Sequence, residues 1–76
     1  MDEHTNTSTE PIIGIVANCE KLNIRLRPSM EATTICQCHE GDELMIDLPQ
    51  STDNWFSVCT SIGIEGFCMK EFIEIK

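Results

Sequence analysis

Leu22-Asn23-Ile24-Arg25-Leu26-Arg27-Pro28-Ser29 alternates apolar and polar side chains until it reaches a proline. A period of two places Leu22, Ile24 and Leu26 on one face of an extended strand, with Asn23 and Arg25 on the other. Nowhere in the chain does an i, i+3, i+4 apolar pattern outlast a single turn, so the alternation is read as β structure throughout.

Working outward, Ile12, Ile13, Ile15 and Val16 form a β-branched run, and Thr33, Thr34 and Ile35 begin an extended stretch that continues to Cys38. Glu40-Gly41-Asp42 is a turn signal. Beyond it Leu44, Ile46 and Leu48 share one face, expected to be buried, with Met45 and Asp47 opposite, and Pro49 closes the strand. Gln50 to Asn54 reads as a loop. Trp55 to Thr60 is a strand with Phe56 and Val58 on one side and Trp55, Ser57 and Cys59 on the other. Ser61-Ile62-Gly63 turns the chain into an antiparallel return from Ile64 to Cys68. Met69-Lys70-Glu71 suits one turn of 3₁₀ helix, and Phe72, Ile73 and Ile75 make a last short strand. Short strands at close spacing predict an all-β fold, a small barrel of five to seven strands over residues 12–76. Residues 1–11 are polar and carry four Ser or Thr, which predicts a disordered tail.

Residues Leu22 to Ser29 also resemble the signature that opens bacterial SH3-like domains, commonly Leu-Asn-Val-Arg-x-Gly-Pro-Ser. Downstream, Ile35, Cys38, Gly41, Leu44 and Ile46 stand where that family has an apolar strand, a glycine turn and another strand. Asn54-Trp55-Phe56-Ser57-Val58 is similar to its Gly-Trp-x-x-Val, Gly66-Phe67-Cys68 to its Gly-Trp-Val, and Phe72-Ile73 to its Tyr-Leu. The resemblance runs from Ile13 to Ile75 and implies an SH3-like barrel that binds a partner without catalysis; many family members bind cell-wall peptidoglycan peptides. Two departures stand out: Phe67 replaces a tryptophan, and Arg27 replaces a glycine. Glycine there often serves a positive φ, so Arg27 implies either a different turn or backbone strain.

Composition narrows the function. Seventy-six residues make one domain with a thin core, for which only ~60% of the unfolded surface is buried on folding. Thirteen acidic residues against five basic ones give a net charge of −8, which repels phosphate backbones and anionic lipid and argues against direct nucleic-acid or membrane binding. Five cysteines cannot all pair within one chain. Met1 to Glu10 has no Lys or Arg and no apolar run, unlike a secretory signal, and nothing approaches the ~18 consecutive apolar residues of a membrane span. A cytoplasmic setting with reduced thiols is therefore expected, with release to the cell wall by another route as the alternative.

Catalysis finds little to work with, and neither an enzyme nor a cofactor is expected. The histidines are His4, in the expected tail, and His39, in a turn; Cys38 and His39 are strand neighbours and point to opposite faces. Cys36, Cys38 and His39 raise the question of zinc, but Cys-x-Cys on a strand sets its sulfurs about 6.6 Å apart along the chain, unlike a zinc knuckle. Core packing is the better reading for Cys38 and Cys68, while Cys19 and Cys59 are better candidates for exposure.

The remaining candidates are for binding. With no tyrosine in the chain, conventional polyproline recognition is disfavoured. Trp55, Met69 and Phe72 stand where a ligand platform could form, and Asn23 and Arg25 point outward beside it. The competing structural reading has Trp55 capping the barrel, Asn23 tying its loop through the backbone, and Arg25 pairing with a carboxylate. The expected function is a binding module for a peptide or protein partner through the face around Trp55, Asn23, Arg25, Met69 and Phe72. The alternatives are a peptidoglycan-peptide binder, an acidic inhibitor of a nucleic-acid-binding protein carried by a mobile element, and a subunit of a larger assembly. Nothing in the sequence sets an oligomeric state.

Overall fold

The alternating stretches become strands of one antiparallel sheet in a computed structural model that describes residues 12–76; the expected tail, residues 1–11, lies outside the described residues. The strands are β1 (Ile12–Val16), β2 (Lys21–Arg25), β3 (Thr34–His39), β4 (Glu43–Asp47), β5 (Trp55–Cys59), β6 (Glu65–Met69) and β7 (Ile73–Ile75). Their order across the sheet is β3-β2-β6-β5-β4-β1-β7, and there is no α-helix among the described residues.

Register explains the core. Leu22 pairs with Cys38, Ile46 with Val58, Phe56 with Cys68 and Val16 with Ile73, so inward-facing residues meet inward-facing residues across four ladders. All eight, with Ile24 and Leu44, belong to one buried cluster. A flat sheet would spread these side chains along its width. Seven strands can feed one cluster only if the sheet rolls round it, which is the barrel geometry that sheet twist and the short strands favour.

Two apolar residues expected on the inward face leave it. Leu26 is 51% exposed because β2 ends at Arg25, one residue before it. At that end the β2–β3 register shifts, with Arg25 facing Thr34 and Ile35 passed over, a bulge that bends β3 away from a regular ladder. Leu48 is 50% exposed because the proline after it draws it into a 3₁₀ turn, Leu48–Gln50, and out of β4. Proline is favoured at that first helical position, where no donor is needed. The second 3₁₀ turn covers Lys70–Phe72, one residue later than its sequence pattern suggested, so Phe72 belongs to the turn and not to the last strand.

Arg27 adopts the different turn and not strain. Its φ is not positive, and the Ser29 N–H donates to the Arg27 carbonyl at 2.8 Å across Pro28. That closes a three-residue turn whose central φ proline already holds near its required value. Among the described residues, Asn18 is the one non-glycine with positive φ, at 64°. Asparagine tolerates this conformation better than other side chains do.

The seam between the β2–β3 hairpin and the rest of the sheet is narrow, with Arg25 opposite Phe67 as its paired position. Beside it, Gly66 is buried. A Cβ there would lie 2.6 Å from Ile24 Cγ2, 2.7 Å from the Arg25 carbonyl oxygen and 2.9 Å from Ile35 Cδ1. The carbonyl belongs to the strand backbone and cannot step aside, so only glycine lets β2 approach β6 this closely. Gly66→Ala is expected to lower stability by about 2–3 kcal/mol through overpacking, which urea denaturation followed by circular dichroism would read as a lower midpoint. An unchanged midpoint would remove the seam's dependence on glycine.

Candidate binding groove

The outer face of β2, β6 and β5 carries the residues that the sequence singled out. Trp55 pairs with Met69 across β5 and β6, and Ser57 with Phe67. Since Arg25 faces Phe67 on the other side of β6, antiparallel progression by two residues brings Asn23 beside Met69. Asn23, Met69 and Trp55 thus form one row across three strands, spaced about 4.8 Å per strand.

Phe72 is set at the end of this row by hydrogen bonds from two loops. The Ala17 N–H donates to the Phe72 carbonyl at 2.8 Å, Asn18 Nδ2 to the Glu71 carbonyl at 3.1 Å, and the Lys70 N–H to the Asn54 carbonyl at 2.9 Å. The left-handed backbone at Asn18 is what aims its amide at Glu71. Trp55 is fixed through its backbone: its N–H donates to Thr52 Oγ1 at 3.2 Å and its carbonyl accepts from the Thr52 N–H at 2.8 Å. Lys70 lies 5.1 Å from the centre of the Phe56 ring, a cation–π contact beneath the same edge of the barrel.

Asn23, Arg25, Trp55, Met69 and Phe72 all border one groove of about 100 Å³, together with Leu22 and Met30. The structure therefore brings all five candidates together. Met30, 61% exposed, comes from the β2–β3 loop and had no periodicity to reveal it. Leu22 does double duty: its strand alternation announces a core residue, and it also reaches the groove floor.

The polar partners differ from expectation. Asn23 does not tie its loop through the backbone; its Oδ1 accepts from Gln37 Nε2 at 2.7 Å, across the β2–β3 ladder where the two residues face each other. Arg25 Nη1 donates to the Ala32 carbonyl at 2.9 Å and to Thr34 Oγ1 at 3.3 Å, so the described partners of the guanidinium are a loop carbonyl and the hydroxyl of the first β3 residue, and not a carboxylate. The bulge after Ile24 explains this, since it turns the start of β3 toward the arginine. Among the described residues the lining offers aromatic, thioether and aliphatic surface, one amide and one guanidinium. Such a surface can hold a ligand through apolar contact and a few placed polar groups.

Two other depressions are larger. One of about 370 Å³ lies against Ile13, Met45 and Cys59, and one of about 430 Å³ against Asp47, Ser57 and Glu65. Neither contains any of the five residues.

The cysteines sit where packing explains them. Cys38 and Cys68 are buried in the core, and Cys19 and Cys36 pack against it half-buried; Cys59 is also half-buried. His39 is exposed while Cys38 is buried, the opposite orientation that strand neighbours require. Burial pushes the Cys68 thiol up to about 12, with Cys38 and Cys19 adding to the effect. Burial likewise pushes Cys38 up to about 11, helped by Cys36 and Asp42. Cys19 is raised by burial and by the Glu40 charge. An activated nucleophilic thiol shifts downward, so these move in the wrong direction for one. Among the described residues, no group of three or more His, Cys, Asp or Glu is placed to hold a metal ion, and no helix is long and apolar enough to cross a membrane.

No protein-family model matches this chain, and no curated protein matches it.

The buried thiols generate a pH dependence. Unfolded, they would ionise near 9; folded, they hold their protons to about 11 and about 12. The native state then binds more protons than the unfolded state above pH 9, so stability falls as pH rises from there toward 11–12. Urea midpoints measured from pH 8 to 11 should decline, and a Cys38→Val, Cys68→Val double variant should decline less. In native protein at pH 8, an aromatic disulfide reagent should leave Cys38 and Cys68 unmodified until denaturant is added. Rapid native modification of either would contradict their burial.

Proposed function

We propose that this chain is a non-enzymatic binding module that holds a peptide or protein segment in the groove bounded by Trp55, Asn23, Arg25, Met69 and Phe72. The observation that carries the reading is convergence. Residues from β2, β5, β6 and the last 3₁₀ turn, far apart in the chain, meet at one groove whose floor is apolar and whose rim has two polar groups. Ligand sites commonly pair an apolar lining with a few placed polar groups. Tryptophan is among the side chains enriched where interfaces concentrate their binding energy.

The sequence resemblance to bacterial SH3-like domains supports the same reading, because such domains are binding modules on a small antiparallel barrel. The described lining, mostly apolar with an amide and a guanidinium, suits recognition of a ligand. The net charge of −8 favours partners that are neutral or basic over most of their length.

Panning a displayed random-peptide library against the full chain tests this directly. Trp55 is the sole tryptophan, so its fluorescence reports on the groove without labelling. Selected peptides should shift that emission, and Trp55→Ala should weaken their binding, read by calorimetry, at least ~30-fold, the range of an interface hot spot. Peptides that bind Trp55→Ala as tightly as the parent chain would place recognition elsewhere.

A further inference from the structure

Among the described residues Arg25 is the one charged side chain in the groove lining, and it is held in a particular way. Both of its hydrogen bonds to described residues leave from Nη1, to the Ala32 carbonyl and Thr34 Oγ1. A guanidinium carries five N–H donors in a rigid plane. Two of them pin the plane to the end of the β2–β3 loop and the start of β3. The edge formed by Nε and Nη2 has no acceptor among the described residues, and its parallel N–H groups match the two oxygens of a carboxylate. Asn23 adds a second donor: with Oδ1 occupied by Gln37, its Nδ2 is left for a ligand.

Size restricts what sits beside that edge. About 100 Å³ is small against the ~300–1,000 Å³ of an ordinary small-molecule site. A shallow groove of this size suits one side chain better than a whole small-molecule ligand. A ligand that carries an apolar side chain and a carboxylate on one residue can place the first in the groove and the second on Arg25. In the middle of an extended peptide, successive side chains point to opposite faces, so an acidic residue next to the apolar one would aim away. At a chain terminus the α-carboxylate and the side chain branch from the same Cα.

We infer that the groove captures the C-terminal residue of a peptide or protein, its apolar side chain against Trp55 and Met69 and its α-carboxylate on the Nε and Nη2 edge of Arg25. The inference rests on the binding-module reading above. Recognition of a terminal carboxylate by fixed N–H donors is a mode that peptide-binding proteins use. The pinned guanidinium suits it, because little side-chain freedom is left to lose on binding. The protein's many carboxylates do not cancel the contact. At physiological ionic strength charges beyond ~8 Å are largely screened, while a direct ion pair is not. They act instead on the rest of the ligand, disfavouring further acidic residues upstream.

The probes are N-acetyl-Gly-Gly-Leu as the free acid and as the C-terminal amide, titrated to about 10 mM into the ¹⁵N-labelled full chain. The free acid should shift the Trp55 indole and Arg25 Nε resonances with a Kd on the order of 1 mM, and the amide should bind at least tenfold more weakly. Arg25→Lys keeps the charge but not the fork, and should weaken the free acid at least fivefold while leaving the amide unchanged. If Arg25→Lys fails to fold, the acid and amide comparison on the parent chain decides alone. Equal binding of acid and amide, no shifts from the free acid, or shifts confined to the face of Ile13 and Met45 would each overturn the inference. Peptides from the library that bind through Trp55 equally well as acids and amides would overturn it while leaving the binding-module reading intact.

Discussion

The missing side chain at Gly66 is the constraint on which the rest of the structure depends. Without a Cβ there, the backbone of β2 can lie against β6, and Ile24 can reach the centre of a core it shares with Leu44, Val58 and Cys68. The β2–β3 hairpin would otherwise be held only by its own ladder. Two-stranded hairpins alone are marginal in water, so the domain needs this junction to exist as one unit. The core itself is modest, which makes each close approach count.

The same junction builds the candidate groove. Asn23 and Arg25 come from β2, Met69 from β6 and Trp55 from β5, and they form a continuous surface only because β2 docks beside β6. The last 3₁₀ turn, clasped by Ala17, Asn18 and Asn54, sets Phe72 against the end of that surface. Fold and site therefore share one dependency: what joins the β2–β3 hairpin to the sheet also assembles the groove. Cys38 and Cys68 serve the interior, where burial pushes both thiols well above their ordinary range.

Much of this was legible in the sequence because a half-buried strand writes its face into a period of two. The Leu22, Leu44 and Trp55 stretches could be read that way, together with the outward side of Trp55 and of Asn23, while the other strands showed as short β-branched or apolar runs between turns. Leu26 and Leu48 misled, since alternation continues past the end of β2 and into a proline-led turn that the chain does not follow. Met30 could not be found, because a loop residue has no period. The partners of Asn23 and Arg25 were hidden for a different reason. They depend on which strand lies alongside and on a one-residue register shift, and pairing across 14 residues leaves no local trace.

The most direct test of the shared junction is nuclear Overhauser spectroscopy on the full chain with ¹³C-methyl methionine and ¹⁵N backbone labels. The account predicts cross-peaks between the Arg25 and Phe67 backbones, and from the Met69 methyl group to both the Trp55 indole and Asn23. A folded, dispersed spectrum in which those contacts are missing would contradict it, because the hairpin would then sit apart from β6 and the groove would not form.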